Sequence, residues 1–167
     1  EAGKCAVTLE ASKYNFTLEK IEISQVQVSL EPQLTSIWTN TNNTEVNWNS
    51  IYRFGLDGMD GNNECIETFS QEVWNVIKNG TFYLKFRPVN NNFSNFNMRI
   101  ATGWWHNEIN MQSGSNFIKN NGDGTYYIII NFSDRSFCNG EIKDLLDSEH
   151  LLFTGSGYTP IELFCYM

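Results

Sequence analysis

From Lys4 to Glu31 the chain contains neither glycine nor proline, and apolar residues alternate with polar ones in runs: Cys5, Val7, Leu9, then Phe16, Leu18, then Ile21, Ile23, then Val26, Val28, Leu30. A two-residue period with no turn-forming residue reads as half-buried β-strand, because successive side chains of a strand point to opposite faces. Fully extended, about 26 such residues would span roughly 86 Å at ~3.3 Å per residue. A compact chain of 167 residues is only about 40 Å across, from a radius of gyration of roughly 15 Å. Either weak turns interrupt the stretch, around Lys13–Asn15 or Leu18–Lys20, or its first part leaves its own domain. The domain reading is an extended arm over 1–20, a candidate donor strand, followed by one β-sandwich domain over 21–167.

The rest of the chain repeats the β signal in shorter pieces. Strands are expected through Ile37 and Trp38, through Val46 and Trp48, at Tyr52 and Phe54, over Thr81–Val89, over Asn97–Trp105, on both sides of Asn121-Gly122-Asp123-Gly124, at Leu151–Phe153 and over Thr159–Met167. The Asn/Gly run between Ile118 and Tyr126 supplies the positive φ angles of a tight hairpin. One helix stands out after Ser70, a natural N-cap, with Asn79-Gly80 as its stop. A shorter helical turn is expected at Leu145 and Leu146. Short strands without βαβ alternation predict an all-β fold. The expected architecture is an antiparallel β-sandwich, immunoglobulin-like or jelly-roll-like, with one or two short helices and an extended N-terminal strand.

Composition removes several classes of function. With 41% hydrophobic and 14% aromatic residues the chain can build a core,. Its 19 acids against 11 bases give a net charge of −8, and no basic stripe interrupts it, so nucleic acid and anionic membrane surfaces are disfavoured as partners,. No apolar run is long enough for a membrane span. The chain opens on Glu1 rather than Met, as a processed mature chain or an expressed segment would.

No nucleophile motif is present, and no cofactor is called for. His106 and Glu108 could be paired as acid and base, but nothing else converges on them. His150 reads as a structural residue at a strand start. The chain is therefore expected not to be an enzyme. Cys5, Cys65, Cys138 and Cys165 are too far apart for a zinc site and fit two disulfides of an exported protein, in any of three connectivities. Cys5 and Cys165, both on terminal strands, could lie side by side. Metal binding is not expected; Asp57, Asp60 and Glu64, in a Gly/Asp/Asn loop, are a weak calcium candidate. Sequons occur at Asn15, Asn42, Asn79, Asn92 and Asn131, where the 22 asparagines would give about three by chance,. In GWW, Trp104 shares the phase of Met98 and Ile100 and should enter the core. Trp105 then faces outward with Arg99, as a candidate glycan platform.

The segments TGWW (102–105), NNGDGTY (120–126) and DLLDSEHLLFTGSGYTPIEL (144–163), with EVWNVIKNGTFYLKF (72–86) before them, resemble a β-sandwich module found in extracellular and surface proteins of the Bacteroidetes. The likeness covers roughly residues 35–165 and implies the fold and a location outside the cell or at its surface. Such modules often sit beside glycan-handling domains. The opening arm is similar to the N-terminal strand of donor-strand-exchange pilins, with Val7, Leu9, Phe16 and Leu18 as the inserted side chains and Cys5 able to lock the join. The expected function is a structural subunit whose partner is itself, joined head-to-tail. The alternative is a carbohydrate-binding module whose partners are glycans.

Overall fold

A computed structural model describes residues 34–58, 65–102, 106–132, 134 and 150–167, with backbone alone for 102 and 106–108. The opening arm, and with it Cys5, Val7, Leu9, Asn15, Phe16 and Leu18, lies outside the described residues, as does the expected turn at Leu145 and Leu146. The described chain is an all-β sandwich of two five-stranded sheets with one α-helix. Its strands are β1 (Leu34–Thr39), β2 (Tyr52–Leu56), β3 (Glu67–Phe69), β4 (Phe82–Pro88), β5 (Asn97–Thr102), β6 (His106–Gln112), β7 (Ile118–Asn120), β8 (Tyr126–Ile130), β9 (His150–Ser156) and β10 (Tyr158–Tyr166). The helix α1 covers Gln71–Asn79.

The first sheet runs β1-β10-β4-β8-β7 and the second β3-β2-β9-β5-β6. All pairs are antiparallel except β2 with β3, which run parallel. One core joins the sheets: Phe82, Leu84, Phe86 and Ile128 from the first, and Phe54, Met98, Ile100 and Phe153 from the second, are buried in a single cluster. Met98 and Ile100 face inward and Arg99 outward, as their phase predicts.

Local chemistry explains the elements that were anticipated. The hydroxyl of Ser70 accepts from the Val73 N–H at 3.4 Å, and Trp74 and Ile77, one turn apart, are the buried residues of α1,. At the 118–126 hairpin, Gly122 and Gly124 take φ of 83° and 80°. The Asp123 carboxylate accepts from the Thr125 N–H at 2.9 Å and also from its hydroxyl. Those bonds, with Lys85 nearby, hold the Asp123 carboxyl below its usual range,.

Sequence reading and structure differ at three places. Val46 and Trp48 do not form a strand: Val46 makes an isolated bridge to Tyr158, and Asn47 one to Ser50 across a tight turn. Val46 is nonetheless buried, so alternation here reflects one anchored side chain rather than a ladder. The strand expected over Asn97–Trp105 is described as β5 over Asn97–Thr102, residues 103–105 lying outside the described ones, and His106–Gln112 pairs back beside it as β6, which was not anticipated. Glu67–Phe69, just ahead of the helix, pairs with β2 as β3, a strand that was not anticipated.

The passage from β9 to β10 is the tightest part of the fold. β9 lies in the middle of one sheet and β10 inside the other, yet only Gly157 separates them. Gly155 and Gly157 adopt φ of 105° and 77°, values that side-chain-bearing residues rarely take,. Tyr158, fully buried just after the corner, donates its hydroxyl to the Thr154 carbonyl at 2.8 Å.

Burial, with nearby Tyr52 adding to it, pushes the Tyr158 phenol well above its ordinary value. The folded protein therefore keeps this proton at a pH where the unfolded chain, ionising near pH ~10, gives it up. Stability is fully present below that pH and is lost as pH rises above it. Urea unfolding should give a midpoint that falls between pH 8 and pH 11, and that falls less for Tyr158→Phe. An equal fall in both proteins would remove Tyr158 as the cause.

Candidate binding faces

Side chains alternate along β10, β4 and β8, so each strand sends one set to the core and the other outward. Part of the outward set is aromatic. Phe164 and Tyr83 are cross-strand partners, as are Tyr83 and Ile129 on the other side of β4. The Tyr83 and Phe164 rings stack at 5.3 Å with planes 5° apart. Tyr166 meets Tyr83 edge-on at 5.9 Å, and Tyr127 lies tilted at 6.4 Å. Leu34 of the edge strand β1 pairs with Tyr166 and extends the strip. Leu34, Tyr166 and Ile129 are 50%, 47% and 37% exposed, so an apolar band crosses the outside of the sheet,.

Polar groups border this band. Glu162 and Lys85 are cross-strand partners, and the Lys85 ammonium lies 3.8 Å from Asp123. Partial burial among the rings raises the Tyr83 phenol, and the hydrogen-bonded Tyr166 and neighbouring Tyr127 add to that. Beyond Tyr166 an open cleft of about 500 Å³, lined also by Asn75, Val76 and Asn79, continues the surface toward the end of α1.

The second sheet carries a different aromatic feature. The Arg99 guanidinium lies 4.6 Å from the centre of the Trp48 ring, and Trp48 is 53% exposed. Trp105, the expected partner of Arg99 on that face, lies outside the described residues. Close by, the Thr154 hydroxyl and the Asn97 side-chain carbonyl are buried without a hydrogen-bond partner.

A cleft of about 290 Å³ between Trp38, Asn40, Tyr52 and Glu67 is held together by its own polar groups. The Asn40 amide donates to the Tyr52 hydroxyl at 2.9 Å and to the Pro160 carbonyl at 2.7 Å. Tyr52 in turn donates to the Thr44 carbonyl at 2.6 Å. Asn40 thereby pins the end of β1 to β10 and β2.

No match is found among protein-family models, curated proteins or solved structures.

The other anticipated residues fall as follows. Asn42, Asn79 and Asn92 are exposed and Asn131 half-buried, the last donating to the Thr81 hydroxyl at 3.2 Å. Asp57 is exposed at the end of β2, while Asp60 and Glu64 lie outside the described residues, and no cluster of metal-ligating side chains occurs among the described ones. Among the described residues no disulfide is present. Cys165 is a free thiol buried on the core side of β10, opposite Phe82, where it packs as a small apolar group and its pKa is raised by burial,. Cys65, just before β3, is not bonded to it, and Cys5 and Cys138 lie outside the described residues. His150 opens β9 and is buried. No helix among the described residues is long and apolar enough to cross a membrane.

Sequence reading did not anticipate the tyrosine band. The outward phase of Tyr83 could be read from the alternation of TFYLKF, as could that of Phe164 and Tyr166 from ELFCYM. Their meeting depends on β10 lying beside β4, which local pattern does not encode.

Proposed function

We propose that this chain is a non-enzymatic extracellular structural subunit that polymerises head-to-tail into a pilus-like filament. In this reading the arm from Cys5 to Leu18 adds as a strand to a neighbouring subunit's sandwich. The observation that carries the reading is the opening stretch itself: alternating, free of glycine and proline, and longer when extended than a globule of this size is wide,. An alternating strand needs an apolar groove for one face and hydrogen-bond partners for its backbone, and strand addition supplies both. A head-to-tail contact that does not close into a ring extends as a helical filament. The likeness to Bacteroidetes surface modules supports the cell surface as the location. The absence of a nucleophile motif from the sequence supports a role without chemistry.

Negative-stain microscopy and light scattering of the full chain test this directly. Fibres of uniform width are expected, and removal of residues 1–18 should leave soluble, less stable monomers. Compact particles of 19.2 kDa from the intact chain would overturn the reading.

A further inference from the structure

We propose that the Tyr83–Tyr166 pair, where β4 meets β10, is a site of oxidative cross-linking, at which hydrogen peroxide and a haem peroxidase join the two rings by a carbon–carbon bond. The site belongs to one folded chain and does not rest on assembly. The face of Tyr83 is stacked on Phe164 at 5.3 Å, and Tyr166 meets Tyr83 edge-on, 5.9 Å away with planes 77° apart. Burial and then the neighbouring Tyr166 hydroxyl raise the Tyr83 phenol, so the hydroxyl-bearing ends of the two rings, with the ortho carbons beside them, lie together. Tyr166 is exposed, where an oxidant can reach it, and Tyr83 is half-buried next to it. The other described tyrosines are placed differently. Tyr127 lies farther from Tyr83, tilted at 6.4 Å. Tyr52 and Tyr158 are buried and give their hydroxyls to the Thr44 and Thr154 carbonyls. Tyr126 packs on Phe86 and Phe93.

The chemistry balances with peroxide alone as oxidant. The peroxidase takes one electron and one proton from Tyr166, leaving a phenoxyl radical whose unpaired electron is shared with the ortho carbons. Exchange of an electron and a proton with its neighbour passes the radical to Tyr83, and a second oxidation restores it on Tyr166. The two ortho carbons then couple, and each ortho C–H proton moves to its own ring oxygen to regenerate the phenol. The two electrons and two protons removed reduce one peroxide to two waters. Rings held side by side make this coupling intramolecular, an advantage that a second molecule in solution does not share. The new bond closes a loop from Tyr83 to Tyr166 between neighbouring strands, and restrains the unfolded chain much as a disulfide does,.

Treatment of the full chain with a haem peroxidase and hydrogen peroxide, over a series of protein concentrations, tests the proposal. Blue bityrosyl fluorescence is expected in the monomer band of a denaturing gel, with a yield per chain that does not change on dilution. Peptide mass spectrometry should find the Tyr83 and Tyr166 peptides joined with the loss of two hydrogen atoms. Tyr166→Phe and Tyr83→Phe, which keep the rings and remove the hydroxyls, should abolish that product, whereas Tyr127→Phe should keep it. Unchanged thermal unfolding of the Phe variants separates lost chemistry from lost fold. Absence of bityrosyl from the wild type, or cross-links that join only separate copies, would overturn the proposal. So would a Tyr166→Phe protein that forms the monomer product as readily as the wild type.

Discussion

Gly155→Ala is expected to lower the melting temperature by roughly 10 °C or more. Two costs combine. At φ of 105° an alanine occupies a backbone region that L residues rarely adopt, a strain of about 1–3 kcal/mol. Its Cβ would also lie 2.0 Å from the Asn97 carbonyl oxygen and 3.0 Å from that carbonyl carbon. Those atoms belong to the backbone of β5, which is paired to β9, so relief means shifting a strand, typically about 1–3 kcal/mol more. In a domain of this size each kcal/mol moves the midpoint by about 2–4 °C. Gly114→Ala is the control. Its φ is 87°, but nothing lies within 4 Å of an added Cβ, so it carries strain without collision. Calorimetry that found the two variants equally stable would show that the β9–β5 approach is looser than described.

Phe54→Ala should cost about 3–5 kcal/mol, as expected when a wholly buried aromatic is truncated and its neighbours cannot close the space. Phe54 is where several rings meet. It stacks on Phe69 at 5.5 Å and 7°, and takes edge-on contacts from Trp38 at 5.0 Å and Phe153 at 5.9 Å. Phe69 and Phe153 belong to the two strands flanking β2, and Trp38 belongs to the opposite sheet. Removing the ring therefore loosens β2 from its neighbours and the two sheets from each other. The urea midpoint should fall with little change in slope, and Phe54→Leu should recover more than half of the loss. A cost below 1 kcal/mol would mean that the site collapses freely, at odds with packing of this density.

How far the sequence could be read depended on whether the signal was local. Ser70 and Gly80 bracket the helix within a single stretch, and Gly122 and Gly124 mark their hairpin by conformational need. The inward phase of Met98 and Ile100 follows from alternation alone. β6, by contrast, is HNEINMQ, rich in Asn, Glu and Gln, which strands disfavour; its pairing with β5 holds it in place,. β3 is three residues long and is defined by its parallel partner rather than by its own pattern. Val46 and Trp48 show the opposite failure, an alternation without a ladder. The candidate faces were the least legible part. Tyr83, Tyr127 and Phe164 are scattered over some eighty positions, and only the order β10-β4-β8 brings them together. Trp48 under Arg99 is a similar case, a turn residue reaching across to a strand from another part of the chain.

The place of β10 bears on how the molecule is made. This last strand of the sandwich is not an edge; it lies between β1 and β4, contributes Leu163 and Cys165 to the core, and is also the partner of Val46 through Tyr158. Its pairing with β1 joins residues more than a hundred positions apart, the kind of contact whose loop must close before it stabilises anything,. During synthesis the first sheet consequently stays split in two until residues 158–166 have left the ribosome. Until then β1 lacks its partner and the core lacks Leu163 and Cys165, so the sandwich closes only after β10 has been made.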